Sequence, residues 1–181
     1  MTYECSLRPC GDDCPQDWLS KAERLYLDVF PPEERRPWTD IAAPRLSDGP
    51  RLLFVASGAG VGDFAGFVTL WDFGTFVYIE HFAIESSLRG HGTGAQVLAL
   101  LRDMLARPIV LEAEPVSDDN PMAARRIAFY CRNGFALLDH DYVQPPYQAG
   151  LPSVPLRLMS TDAGISPAEV ERVLHKRVYG V

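Results

Sequence analysis

The segment Arg89-Gly90-His91-Gly92-Thr93-Gly94-Ala95 is the part of the chain best suited to chemistry with an anion. It stands between a run that reads as a strand and a run that reads as a helix. A glycine-rich turn in that position aims several backbone N–H groups, and the positive end of the helix dipole, at one point where a phosphate can sit. Gly90, Gly92 and Gly94 allow close approach and positive φ, and Arg89 adds charge. A pyrophosphate is the natural guest, although the same glycines also suit a plain turn. Gly90-x-Gly92-x-x-Ala95 further satisfies the dinucleotide-binding fingerprint, with Glu112 and Glu114 downstream to hold a ribose. Against a dinucleotide, the motif lies in mid-chain after an apparent antiparallel meander, and too few strands remain to build a doubly wound sheet. Three of the four cysteines, Cys5, Cys10 and Cys14, lie close together. A structural zinc site needs four ligands, usually in paired C-x(2–4)-C units, and no histidine is near. Unpaired thiols and no metal are expected.

The elements that must position these residues can be read from periodicity. Thr2 to Leu7 alternates weakly, as a short strand would. After Gly11-Asp12-Asp13, the residues Trp18, Ala22, Leu25, Tyr26 and Val29 fall at helical spacing, and Pro31-Pro32 stops the run. Phe30 to Pro50 is rich in proline and charge and reads as a functional loop with one helical turn at Glu33 to Arg36. Arg51 to Ser57, Phe64 to Trp71 and Thr75 to Ile84 form an antiparallel meander, broken by glycines at 58, 60 and 62 and by a tight turn at Asp72-Phe73-Gly74. A helix from Thr93 to Arg107 ends at Pro108, and Ile109 to Glu114 reads as a buried strand. This strand, helix and strand should form a right-handed crossover between parallel neighbours. A further helix from Met122 to Arg132 ends at Asn133-Gly134. Phe135 to Leu138 and Val154 to Met159 supply two more strands around a Pro/Tyr-rich loop. Ser166-Pro167-x-Glu169 opens a last helix with a capping box.

With 181 residues, 47% of them apolar, the chain can bury one core, and a single domain over residues 1–181 is expected. A net charge of −7 without any Lys/Arg cluster argues against nucleic-acid and anionic-membrane partners and weakly favours a cationic, amine-bearing substrate. No run approaches a membrane span, and Met1 to Cys10 lacks the signature of a signal peptide, so a cytoplasmic location is expected.

The chain resembles the Gcn5-related N-acetyltransferases. Their first hallmark, Q/R-x-x-G-x-G/A, is matched by Arg89-x-x-Gly92-x-Gly94, five residues after a strand ending in Ala83-Ile84. The second, Y-x-x-x-G-F, is matched by Tyr130-Cys131-Arg132-Asn133-Gly134-Phe135. The resemblance implies an α/β acyl-CoA N-acyltransferase fold: a mixed, largely antiparallel central sheet with a splayed parallel strand pair and flanking helices. It implies acetyl-CoA as acyl-donor cosubstrate, with the pantetheine arm on the backbone of Phe82, Ala83 and Ile84. The pyrophosphate would lie on Arg89, Gly90, His91, Gly92, Thr93, Gly94 and Ala95. Many members carry an Asn seven residues before the helix tyrosine. Here that position is Ala123, so the side-chain contact to CoA is either missing or taken over by Arg125 or Arg126.

Amide formation from a thioester needs an uncharged amine, a donor for the oxyanion and a proton for the departing thiolate. The resemblance assigns the last role to Tyr130, whose ordinary pKa of about 10 suits a thiol. It assigns the oxyanion to the Phe82 N–H if the strand bulges there. Period-2 alternation puts Tyr78, Glu80, Phe82 and Ile84 on one face and Ile79, His81 and Ala83 on the other. Glu80 is then the candidate base, directly or through a water, unless the amine loses its proton to solvent or the carboxylate merely attracts a cation. His81 falls on the far face as a structural residue. Acceptor recognition, by the same resemblance, falls to the Phe30–Trp38 loop and the last hairpin, with Phe30, Glu33, Glu34, Glu112 and Tyr147 as candidates. The whole reads as an N-acetyltransferase, monomeric or homodimeric, acting on a primary amine of a small molecule or peptide in a ternary complex. The alternative is a catalytically silent acyl-CoA-binding or regulatory module of the same fold.

Overall fold

A computed structural model describes residues 4–11, 15–42, 49–58 and 62–181. Thr2, Asp12, Asp13, Cys14 and Gly60, which figure in the expectations above, lie outside the described residues. The chain forms two compact units, one of the chain up to Pro31 with Arg36–Arg107, the other of Pro32–Arg35 with Pro108–Val181.

The first unit is a four-stranded antiparallel sheet, in the order β1 (Cys5–Pro9), β2 (Arg51–Ser57), β3 (Asp63–Asp72) and β4 (Val77–Ile84). Strand β3 is buried along both faces, because helices cover both. On one face lies α1 (Gln16–Val29), whose Trp18, Ala22, Leu25 and Tyr26 recur at helical spacing and are buried. They pack with Phe54, Phe64, Phe67 and Ala83 in one core, where Trp18 meets Phe54 and Phe64 edge-on. Area-scaled burial of a leucine or phenylalanine side chain here contributes about 1.5–3 kcal/mol. The loop expected from Phe30 to Pro50 contains a short helix, α2 (Trp38–Ala42), held by the buried Ile41, and its first turn is a 3-10 turn at Pro32–Glu34. Prolines at 31, 32 and 37 suggested a loop, yet a proline costs little in the first turn of a helix, where its missing N–H has no partner anyway.

From β3 the chain turns as expected: Gly74, at φ +80, donates its N–H to Asp72, and Phe73 N–H reaches Phe76. Helix α3 (Thr93–Leu105) follows β4 and packs on β1 and β4 through Val97, Leu98 and Leu101. It stops two residues earlier than expected, with Ala106 in the left-handed region at φ 48. Arg107, preceding Pro108, is disfavoured as a helical residue.

The second unit places β8 (Val154–Ser160) between β5 (Ile109–Ala113) and β6 (Ala136–Leu137), all antiparallel to it. Strand β7 (Tyr142–Gln144) also pairs with β8, within the segment expected to be only a loop. Tyr142 and Gln144 are buried and the apolar Val143 is exposed, the reverse of the usual polar-out alternation, so the strand gave no apolar signal. Helix α4 (Pro121–Arg132) is capped by Asn120, whose side chain accepts from Ala123 N–H at 3.2 Å. It ends at Asn133-Gly134 with Gly134 at φ +87. Helix α5 (Pro167–Leu174) opens with Ser166 accepting from Glu169 N–H and runs on into a π-helical turn, His175–Tyr179.

Candidate functional site

In the first unit, the glycine segment forms an anion-receptive helix start. Gly90 and Gly92 stand at φ +80 and +85, so both need the freedom of glycine. A Cβ added to either meets no atom within 4 Å. Gly92 is the N-cap of α3; no side chain caps the helix, and no acid stands in its first turn. Its carbonyl accepts from Gln96 N–H at 3.1 Å, which fixes the helix start. Arg89, expected to add charge, donates Nε–H to the Ile84 carbonyl at 2.8 Å and ties the segment to the end of β4. Opposite that end, Gly66 lies so close that a Cβ would sit 2.2 Å from the Ala83 oxygen.

Strand β4 departs from simple alternation. Thr69 is opposite His81 while Leu70 is opposite Ile79, so Glu80 is an extra residue in a β-bulge. The His81 N–H is satisfied by Thr69 Oγ1 at 3.0 Å. The expected bulge at Phe82 is therefore corrected to Glu80, and Phe82 sits in regular register opposite Val68. The expected separation of Glu80 from His81 is corrected too, because the bulge turns both toward the α1 face. Glu80 Oε2 accepts from Trp71 Nε1–H at 2.9 Å, and Oε1 accepts from Arg36 Nε–H at 2.8 Å. The Arg36 guanidinium lies 5.1 Å over the Trp71 ring. His81 lies against Tyr26 and Phe30, with Nδ1 3.1 Å from Thr69 Oγ1 and Nε2 3.5 Å from the Tyr26 hydroxyl. The Glu80 side chain is 0% exposed and that of Arg36 only 10%. Phe30, expected at a binding mouth, packs on Tyr26 and His81.

In the second unit, Tyr130 faces inward from α4, with its ring edge-on to Phe135. Burial pushes its phenol up to about 12, opposed by the charge of Arg126. Glu34 is pushed up to about 6, first by burial, then by the charges of Glu114 and Glu33, with Arg126 opposing. Arg126 pairs with Glu114, which also accepts from Asn120 at 3.0 Å. The Glu33 carbonyl accepts from Gln144 at 3.3 Å. Glu112 accepts from the hydroxyls of Tyr142 and Tyr179, and Tyr147 packs its ring on Tyr179 with centroids 5.0 Å apart.

Sequence reasoning missed Trp71 and Tyr179, and placed Arg36 and Tyr142 only within the two acceptor-recognition loops, without their carboxylate partners. Arg36 and Trp71 meet Glu80 only because the bulge turns it, and no local pattern announces that. Tyr142 and Tyr179 lie 30 and 67 residues from Glu112. The aromatic richness of the last hairpin was the sole available signal.

Among the described residues no three His, Cys, Asp or Glu side chains are grouped to hold a metal. Cys5 is buried, Cys10 half-buried and Cys131 exposed. No helix among those residues is long and apolar enough to cross a membrane.

The family model described as Acetyltransferase (GNAT) family matches residues 16–135, a span that includes both motifs. A solved structure of a GNAT-family protein from Bacteroides thetaiotaomicron shares 37% identity, with 97% of this chain and 99% of that chain covered and a TM-score of 0.83. Naa50 of Arabidopsis thaliana, solved with a CoA-peptide bisubstrate analogue, is 19% identical, with 86% of this chain and 97% of that chain covered and a TM-score of 0.55, and shows likeness of fold. YjbC of Bacillus subtilis is 33% identical over 64 residues, a match that spans 35% of this chain and 33% of YjbC. With the acyl-CoA N-acyltransferase fold and both motifs in place, the chain belongs to the GNAT family of acetyltransferases.

Proposed function

We propose that the protein is an N-acetyltransferase that moves the acetyl group of acetyl-CoA to a primary amine of a small molecule or peptide, by direct attack in a ternary complex. The observation that carries this reading is the start of α3, where two positive-φ glycines precede an N-terminus with no capping side chain and no acid. Such a terminus receives a pyrophosphate through backbone N–H groups and the helix dipole. In this reading residues Arg89 to Ala95 hold the pyrophosphate, with the Arg89 side chain bracing the segment. The backbone of Phe82, Ala83 and Ile84 pairs with the pantetheine arm.

Tyr130, buried on α4 with its ring edge-on to Phe135, protonates the departing thiolate, although burial, by raising its phenol to about 12, makes it a weaker acid than a free tyrosine. The Phe82 N–H is the donor to the oxyanion. Glu80, closed between Arg36 and Trp71, acts as a positioning residue that fixes the bulge just before Phe82, and the amine loses its proton to solvent. Glu33, Glu34, Glu112 and Tyr147 belong to acceptor recognition. The reading takes residues 1–181 as a single domain, monomeric or homodimeric, without a metal, with no nucleic-acid or membrane partner, and in the cytoplasm.

The test is release of free CoA thiol from acetyl-CoA in the presence of a panel of amines. Amine-dependent release supports the reading. Tight CoA binding with no turnover on any amine would instead favour a silent acyl-CoA-binding module.

A further inference from the structure

Strand β4 turns its backbone groups toward β3 at alternate residues, as an antiparallel ladder requires. Glu85 N–H donates to the Ala65 carbonyl at 2.9 Å, in the register that sets Ala83 opposite Phe67 and Phe82 opposite Val68. Counted back from Glu85, the N–H and C=O of Ala83 face β3, while those of Phe82 and Ile84 face away from it. The Ile84 carbonyl accordingly accepts from Arg89 Nε–H at 2.8 Å. The Phe82 N–H can meet a thioester oxygen only because it points away from β3. Its direction is set at His81, whose carbonyl shares the same peptide plane.

The buried His81 is held at two points by one hydroxyl. Thr69 Oγ1 accepts the His81 N–H at 3.0 Å and stands 3.1 Å from Nδ1 of the ring. At the far end of the ring, Nε2 lies 3.5 Å from the Tyr26 hydroxyl, which donates its proton to the Arg36 carbonyl at 3.1 Å. A hydroxyl has one proton to give, and a neutral imidazole has one N–H and one lone pair. Because the Tyr26 proton goes to a carbonyl, the Tyr26 oxygen faces the ring as an acceptor, and Nε2 carries the ring proton. Nδ1 then offers its lone pair to the Thr69 proton. The opposite tautomer would turn two N–H groups onto the Thr69 oxygen and leave the proton of this fully buried threonine with no acceptor among the described residues. Glu80 Oε2 stands 3.8 Å from Nδ1, outside hydrogen-bond reach, and accepts from Trp71.

We infer that Thr69 and the neutral, Nε2-protonated form of His81 are positioning residues that aim the Phe82 N–H at the oxyanion of the transition state. Both act through Phe82 and not on the reacting atoms. The bulge at Glu80 interrupts regular pairing next to this point, and the Thr69 hydroxyl supplies a clasp on both the backbone and the ring of His81. A donor aimed in advance stabilises developing charge because nothing has to reorganise as the charge forms. The inference rests on the acetyl-transfer reading above and names residues that serve its oxyanion donor.

Nitrogen NMR of histidine-labelled protein reads the ring directly. Near neutral pH, Nδ1 of His81 should give the signal of a bare nitrogen and Nε2 that of a protonated one. The reverse assignment, or a doubly protonated ring, overturns the inference. Thr69→Val removes the hydroxyl at nearly constant shape, and Thr69→Ser keeps it. Loss of a whole oxyanion donor costs about 10²- to 10³-fold in kcat, so a misdirected one should cost about 10- to 100-fold in Thr69→Val. Acetyl-CoA affinity should stay within a few-fold, and Thr69→Ser should recover most of the rate. An unchanged kcat in Thr69→Val, or a Thr69→Ser protein as slow as Thr69→Val, overturns the inference. Should Thr69→Val not fold, the same split is expected between His81→Leu and His81→Asn, whose amide oxygen can take the place of Nδ1. If the wild type acetylates no amine, the acetyl-transfer reading fails by itself, and residual dipolar couplings of the Phe82 N–H decide on the clasp. A bond direction changed in Thr69→Val and kept in Thr69→Ser supports it; a direction unchanged in Thr69→Val, or changed equally in Thr69→Ser, overturns it.

Discussion

Replacement of Gly92 separates the role of the helix start in folding from its role in binding. Gly92 opens α3 at φ +85 and ψ −4, and a Cβ placed there meets nothing within 4 Å. Alanine therefore introduces no clash, only the left-handed strain of an L-residue, about 1–2 kcal/mol. For a chain of this size, 1 kcal/mol corresponds to about 2–4 °C, so the free Gly92→Ala protein should melt roughly 2–8 °C lower and remain folded. Binding carries a separate effect. If the backbone N–H groups at this start hold a pyrophosphate, a side chain occupies the approach of the anion. Loss of a single hydrogen bond to a charged group costs about 1.5–3 kcal/mol, or roughly 10- to 150-fold in CoA affinity. Valine, branched at Cβ, should abolish measurable binding. Thermal melting of the free protein reads the strain, and calorimetric titration with CoA reads the contact. A folded Gly92→Val protein with unchanged CoA affinity would refute the placement of the pyrophosphate.

Tyr130→Phe should lower turnover by about 10²- to 10⁴-fold while acetyl-CoA affinity stays within a few-fold, and an unchanged rate would remove this phenol from the mechanism. Gly66→Ala forces a Cβ against the Ala83 oxygen at 2.2 Å, backbone against side chain, so the strands must part; a loss of about 1–3 kcal/mol is expected, and a native melting temperature would contradict the close approach. Glu34, with its folded value raised to about 6 from 4.5, favours folding most below about pH 4.5 and loses that contribution as pH rises through 6. Glu34→Gln should therefore stabilise the protein at neutral pH by about 1 kcal/mol after allowance for solvent screening, and denaturant melts at pH 4.5 and 7.5 should show a smaller fall than in the wild type.

Much of this fold could be read from the chain because its punctuation is local. Gly92 and Gly134 each occupy the left-handed conformation that their place at a helix boundary suggests. Ser166 and Asn120 cap the helices they precede, although the second cap was not anticipated. What escaped notice depends on long-range pairing. Strand β7 has three residues and forms only by lying against β8, and α2 is held by the burial of Ile41 rather than by any strong periodicity. Tertiary context decides such short elements, since an isolated turn of helix or strand is not stable alone.

Glu80 shows how one inserted residue changes a chemical reading. Strict alternation over β4 set Glu80 with Phe82 and against His81. The bulge resets that relation midway, because a shift of one residue turns each later side chain to the other face. Glu80 and His81 then share the α1 face, where Arg36 and Trp71 close on the carboxylate. A buried carboxylate held by a guanidinium costs several kcal/mol to leave unpaired, so protonating it or withdrawing Arg36 works against the fold. The pair is for that reason better suited to holding β4 in one conformation than to exchanging protons in each turnover. Thr69 completes the arrangement by taking the His81 N–H that the bulge removes from the ladder. Phe82, Ala83 and Ile84 follow in regular register, so the precision of the backbone proposed to meet the pantetheine depends on a residue that need not touch the substrate.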